Sequence, residues 1–200
     1  MYDLILFKVL MKFQRLLFMA LTLLMVNICW SADLTQATSR EPATNAAPLG
    51  LEIGYANIGG VKAKIGKSTD LVDKGINAYT YGPMLSSNGA GLDIDGLSEI
   101  TFIFNKDGVL EGVLMTMPKK AVEMHGSLSK KYKVVTNNID TFMGNGYAKY
   151  SKGDSIVELN APHMSFKMNI NYLSKKLMAD FLRESQAEAT SKKKNQESKL

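Results

Sequence analysis

Few side chains in this chain are of the kind that do acid–base or metal chemistry. His125 and His163 are its only imidazoles. Neither stands at the spacing of an H-x-x-x-H zinc site, and no nucleophile-elbow pattern marks a serine that one of them would activate. His125 falls on an expected helix and reads as a surface or boundary residue. His163, in Ala161-Pro162-His163 between two expected strands, reads as a turn residue bonding local backbone, with a ligand or acid–base role as the alternative. Asp93, Asp95 and Glu99, with Asn88 nearby, are the candidate ligands for a cation, although Asp and Gly in a loop serve equally well as turn formers. Asn105, Asp107 and Gly108 mimic the middle of a calcium loop. Ile103 stands where the first Asp of that motif would be, and Leu114 where its closing Glu would be. These residues assemble no catalytic set, and no cofactor or metal is expected.

Binding is a different matter. Tyr79, Tyr81, Tyr147 and Tyr150 fall on expected strands, where aromatic side chains often serve interfaces, and together with His163 they are the candidate binding surface. The chain holds 12 methionines. They read as core filling, with a methionine-lined groove for an apolar ligand as the alternative.

The element that must organise these residues is Ser98 to Met117. Two apolar runs, Ile100 to Phe104 and Val109 to Met117, flank Asn105-Lys106-Asp107-Gly108, in which Asn and Asp tolerate turn geometry and Gly supplies a positive φ. The pattern predicts a β-hairpin. Alternation places Ile100, Phe102 and Phe104 on one face and Thr101 and Ile103 on the other, and sets Glu111 in line with Val113, Met115 and Met117. Both faces are largely apolar, so each needs a cover, and a two-stranded hairpin is marginal alone. Asn57 is expected to cap a helix carrying Ile58, Val61 and Ile65 and stopped by Gly66, with Gly59 and Gly60 allowing close approach to a sheet. Pro118 to Lys131 gives a second helix. Further strands are expected at Ala78 to Leu85, Leu92 to Ile94, Lys133 to Thr136, Tyr147 to Tyr150, Ser155 to Asn160 and Phe166 to Tyr172. In the last of these Phe166, Met168, Ile170 and Tyr172 form the buried side. Lys67 to Asn77 reads as a turn. Ser174 caps a final helix with Leu177, Met178, Phe181 and Leu182 on one face. Helices alternating with hairpin-linked strands define an α+β fold: an antiparallel sheet of six to eight strands with two or three helices packed on one face. The two helix-then-strands halves share an order but no visible residue pattern.

The ends of the chain are different in kind. From Met11 a short basic region with Lys12 and Arg15 precedes an apolar core, Leu16 to Ile28, and a small-residue exit at Ser31 and Ala32, so residues 1–32 read as a secretory signal peptide whose true start is Met1 or Met11. An uncleaved N-terminal anchor is the alternative. Cys29 is the only cysteine, and the residues before it give a poor lipidation site; lipid modification there is a minor reading. A mature chain without Cys29 has no disulfide or thiolate chemistry. Cleavage removes Lys8, Lys12, Arg15 and Asp3 and lowers the formal charge from +5 to +3, which leaves no footprint for nucleic acid. Residues 33–48 read as a flexible linker, 49–184 as one α+β domain, and 185–200 as a disordered basic tail. In that tail Lys192, Lys193 and Lys194 offer a weak contact to a membrane surface.

The run Ile100-Thr101-Phe102-Ile103-Phe104-Asn105-Lys106-Asp107-Gly108-Val109-Leu110 resembles the strand-turn-strand of the small outer-membrane lipoproteins of the barrel-assembly machinery and of the wider β-lactamase-inhibitor-protein-like group of secreted modules. Gly54 through Val61 to Ile65-Gly66 is similar to that group's opening helix. Tyr55-Ala56 replaces its usual Met-Thr start, and no Pro follows Gly66. The resemblance implies an envelope location, a helix-on-sheet module and action by binding other proteins. The expectation is a non-enzymatic exported protein, periplasmic or extracellular, that binds another envelope protein. A module with a pocket for a small apolar ligand between helix and sheet is the alternative.

Overall fold

The structure, a computed structural model, describes residues 43–197. The expected signal peptide, Cys29, most of the expected linker and the last three residues lie outside the described residues.

The hairpin forms as its sequence dictates. Strands β3 (Glu99–Asn105) and β4 (Leu110–Pro118) pair antiparallel across the Asn105 to Gly108 turn. Asn105 Oδ1 accepts the Asp107 and Val109 N–H groups, and Gly108 adopts φ 76°. The register shifts once, between Ile103↔Gly112 and Phe104↔Leu110, which leaves Glu111 as the extra residue of a bulge. Simple alternation therefore fails at this point. The bulge sets Leu110 opposite Phe104, buried like Val113, Met115 and Met117.

Around the hairpin the chain builds one eight-stranded antiparallel sheet in the order β1-β2-β3-β4-β8-β7-β6-β5, open at both edges. The remaining strands are β1 (Val72–Ile76), β2 (Tyr81–Ser87), β5 (Lys133–Asn137), β6 (Gly146–Lys152), β7 (Ser155–Ala161) and β8 (Lys167–Ser174). With helices α1 (Ile58–Ile65) and α2 (Ala121–Ser129), they make two halves of identical order: a helix, then a four-strand meander. The halves meet where β4 pairs with β8, and in each half the outermost strand pair carries a register shift.

Both α1 and α2 cover the same face. Val61 and Ile65 from α1 and Ala121 and Leu128 from α2 join Phe102, Phe104, Val113, Tyr150, Leu159 and Ile170 in a continuous core. Asn57 caps α1 by accepting the Gly60 N–H at 2.8 Å. Gly59 and Gly60, however, face solvent rather than the sheet. The opposite face is covered in part by α3 (Lys175–Glu197). Its Leu177 packs over Gly112 and Leu173, so that a side chain at Gly112 would stand 3.1 Å from Leu177 Cδ2. Ser174 Oγ caps α3 by accepting the Leu177 N–H at 2.9 Å.

Four local expectations change. Ordered structure begins before Leu49: Ala46 is buried, its N–H donates to Ser155 Oγ at 2.7 Å, and Asn45 accepts the Asp154 N–H through Oδ1. Val72–Ile76 is an edge strand rather than part of a turn, with every residue exposed. Leu92 to Ile94 is not a strand, although Leu92 and Ile94 pack against the core from a loop. Residues 185–197 continue α3 instead of losing structure, supported by i,i+4 pairs such as Glu188 with Lys192 at 2.7 Å.

Candidate functional site

Three rows of side chains cross the face that α3 shares. Cα partners across β7, β8, β4 and β3 align Ile156, Leu173, Gly112 and Ile103 in the first row, Glu158, Asn171, Leu114 and Thr101 in the second, and Asn160, Asn169, Thr116 and Glu99 in the third. Strand β6 extends them with Ser151, Lys149 and Tyr147 respectively. The rows pass from apolar to polar. The apolar first row is where α3 sits, and a cavity of about 310 Å³ remains between α3 and the sheet, walled by Tyr79, Ile103, Leu114, Leu177, Met178 and Phe181 with Glu158 and Asn171 at its side. Tyr79 and Phe181 meet edge to face with ring centroids 5.2 Å apart.

The polar third row is the open part of the face. Asn160 and Glu99 are exposed, and Thr116, Asn169 and Tyr147 are half-buried. Thr116 Oγ1 donates to Asn169 Oδ1 at 3.1 Å, and the Tyr147 hydroxyl donates to Glu158 Oε1 at 2.7 Å. Lys149 Nζ lies 3.8 Å from the same carboxylate oxygen. Burial, with the hydrogen bond to Glu158 adding to it, raises the pKa of the Tyr147 phenol, which stays a neutral donor.

The tyrosines that the sequence grouped as a surface separate in space. Tyr81 is exposed at the β1–β2 turn and Tyr79 packs on α3. Tyr150 does not belong to any surface: it is completely buried, because alternation along β6 points it with Ala148 into the core. Its hydroxyl meets His125 Nδ1 at 2.6 Å, and burial pushes its pKa up to about 12.

His163 is exposed on the β7–β8 loop, and its Nδ1 lies 3.0 Å from Asn145 Nδ2; no carboxylate partner joins it among the described residues. Asp93, Asp95 and Glu99 do not converge. Asp95 instead pairs with Lys120 at 2.6 Å, a hydrogen bond that lowers its carboxyl pKa. Among the described residues no three His, Cys, Asp or Glu side chains gather as a metal site requires. Lys192 and Lys194 are exposed on the outer part of α3. A cleft of about 680 Å³ at the β1 edge is lined by Ser68, Thr69, Ser87 and Ser98 with Asp70 and Glu99, and neither histidine lines it.

The most unusual surface was not singled out from the sequence. At the end of the sheet where β7 passes into β8, Phe142, Met143, Met164 and Phe166 are exposed, the two phenylalanines to 93% and Met164 to 92%. Phe166 in particular was expected on the buried side of β8. The strand starts only at Lys167, so Phe166 lies in the preceding loop, where alternation no longer binds it. Comparison with protein-family models, with curated proteins and with solved structures finds no match for this chain.

Proposed function

We propose that the chain is a non-enzymatic, exported binding module whose open sheet face holds another protein of the cell envelope. The observation that carries this reading is the third row, Tyr147, Asn160, Asn169, Thr116 and Glu99, displayed beyond the area that α3 covers. Such a row offers donors and acceptors on a rigid scaffold with an aromatic at its end, the mixture that protein interfaces favour. The signal-like N-terminus supports export, and the helix-on-sheet halves agree with the resemblance to envelope modules. Affinity capture from the native envelope tests the proposal. A partner retained by the natural chain and lost with Asn169→Arg or Tyr147→Ala supports it; equal recovery with both variants overturns it.

A second reading has its own observation, the cavity of about 310 Å³ under α3. Its size is at the lower end of small-ligand sites, and its Tyr, Met and Phe walls suit an apolar molecule. Displacement of an environment-sensitive apolar dye from this cavity by envelope lipid extracts, abolished by Leu114→Trp, is the expected result for that role.

A further inference from the structure

We propose that Phe142, Met143, Met164 and Phe166 form an insertion tip that seats this end of the domain in the interfacial region of a lipid bilayer. The inference is independent of the protein-binding reading above.

The two loops concerned are neighbours. Gly146 pairs with Ala161 at their base, and Asn145 reaches His163 at 3.0 Å. Each loop is held in shape by its own polar groups. The Asp140 carboxylate accepts the N–H groups of both Phe142 and Met143 at 2.8 Å, bonds that lower its pKa, while Gly144 N–H donates to Asp140 O and Asp140 N–H to Asn145 O. In the second loop Lys167 N–H donates to Ser165 Oγ at 3.0 Å and Lys119 N–H to Phe166 O at 2.8 Å. Backbone groups that enter a water-poor medium must already be satisfied, and in the first loop the N–H groups of Phe142, Met143 and Gly144 are.

Charge does not select the partner. Lys119, Lys120 and Lys167 stand at this end against Asp93, Asp95, Glu99 and Asp140, with Asp95 and Lys120 paired and Lys119 Nζ held 2.7 Å from Pro162 O. An end with no excess of positive charge offers no electrostatic handle to nucleic acid or an acidic peptide, so affinity has to come from the apolar side chains. Their area and shape favour lipid over protein. Four such side chains bury roughly 600 Å², less than the ~800 Å² per partner of a stable protein interface. They also stand on two projecting loops, a convex shape that a deformable bilayer receives without a matching pocket.

The test uses the full chain with Cys29→Ser, labelled with an environment-sensitive fluorophore at Met164→Cys or, at the opposite end of the sheet, at Lys106→Cys. The vesicles are pure phosphatidylcholine containing a lipid spin-labelled near the top of its acyl chain. Quenching at position 164 but not at 106, insensitive to salt, is the expected result. The pair Phe142→Ser and Phe166→Ser is expected to remove at least about two-thirds of that quenching. Both side chains are exposed, so the pair is expected to leave the melting temperature within about 1 °C, which separates lost insertion from lost folding. No quenching at 164 overturns the proposal. So does quenching that requires anionic lipid and disappears in salt, or burial of the label only when a soluble protein is added.

Discussion

Glu111 and Ser174 tie the two halves of the molecule together: the buried Glu111 carboxylate on the β4 bulge accepts a hydrogen bond from Ser174 Oγ at the end of β8. The same hydroxyl oxygen accepts the Leu177 N–H and so caps α3, while Asn105 Nδ2 donates to the other Glu111 oxygen at 3.0 Å. One serine thus satisfies a buried charge and starts a helix. Ser174→Ala removes both and is expected to cost about 2 to 4 kcal/mol, seen as a lower urea midpoint with an unchanged slope. Ser174→Thr keeps the hydroxyl and is expected to recover at least half of the loss.

Two glycines are expected to respond in opposite directions to the same change. At Gly126, inside α2, a Cβ meets nothing within 4 Å, so Gly126→Ala is expected to stabilise by about 0.5 to 1 kcal/mol through helix propensity. At Gly82, in β2, a Cβ would run into the backbone carbonyl groups of Phe104 and Asn105. Backbone on that side cannot yield cheaply, and Gly82→Ala is expected to destabilise by about 2 kcal/mol or more. Chemical denaturation of the two variants side by side checks the difference in sign.

These positions also show what the sequence can and cannot carry. The hairpin and α1 were legible because their signals are local: Asn105 to Gly108 chooses the turn, and Asn57 and Gly66 bound the helix. The fold class followed, because hairpin-linked strands leave little choice but an antiparallel sheet. Position across the sheet was not legible. That α1 and α2 share one face while α3 takes part of the other depends on Gly112 opening a place for Leu177, a long-range fit. Edge strand β1 lacks the apolar alternation that marks a strand, because neither of its faces is buried. Glu111 became the extra residue of a bulge, and Phe166 lay one residue outside its strand, each a shift of one position that simple alternation does not foresee. Tyr150 failed as a surface candidate for a related reason, since residue type cannot tell which face of β6 looks inward. The polar third row draws on β3, β4, β8, β7 and β6, and only the register reveals it.

Alkaline pH is expected to unfold the domain through its buried phenols. Burial raises the pKa of Tyr150 to about 12, and it raises Tyr172 and Tyr132 as well. In the unfolded chain a tyrosine ionises near 10. The folded state therefore holds its phenolic protons longer, so the stabilisation is complete below about pH 10 and is lost as pH rises through about 12. Urea midpoints are expected to be flat from pH 7 to 9 and to fall beyond 10. Tyr150→Phe, which removes one of these protons, is expected to make that fall shallower even though it starts from a lower stability, because His125 loses its partner.

The outer part of α3 is expected to be dispensable for stability. From Arg183 to Lys192 every residue except Ser185 is exposed, and this stretch places no residue in the core cluster. Its helix rests on solvent-screened intrahelical pairs such as Glu188 with Lys192, whereas Leu177, Met178 and Phe181 make the contacts that hold α3 to the sheet. Deleting Ser185 to Leu200 is expected to lower the helical far-ultraviolet signal while moving the melting temperature by less than about 2 °C. Phe181→Ala, within the retained segment, is expected to cost more than the whole deletion, because it empties the contact with Tyr79 and enlarges the cavity beneath the helix. A large loss on deletion would show instead that the projecting helix is docked.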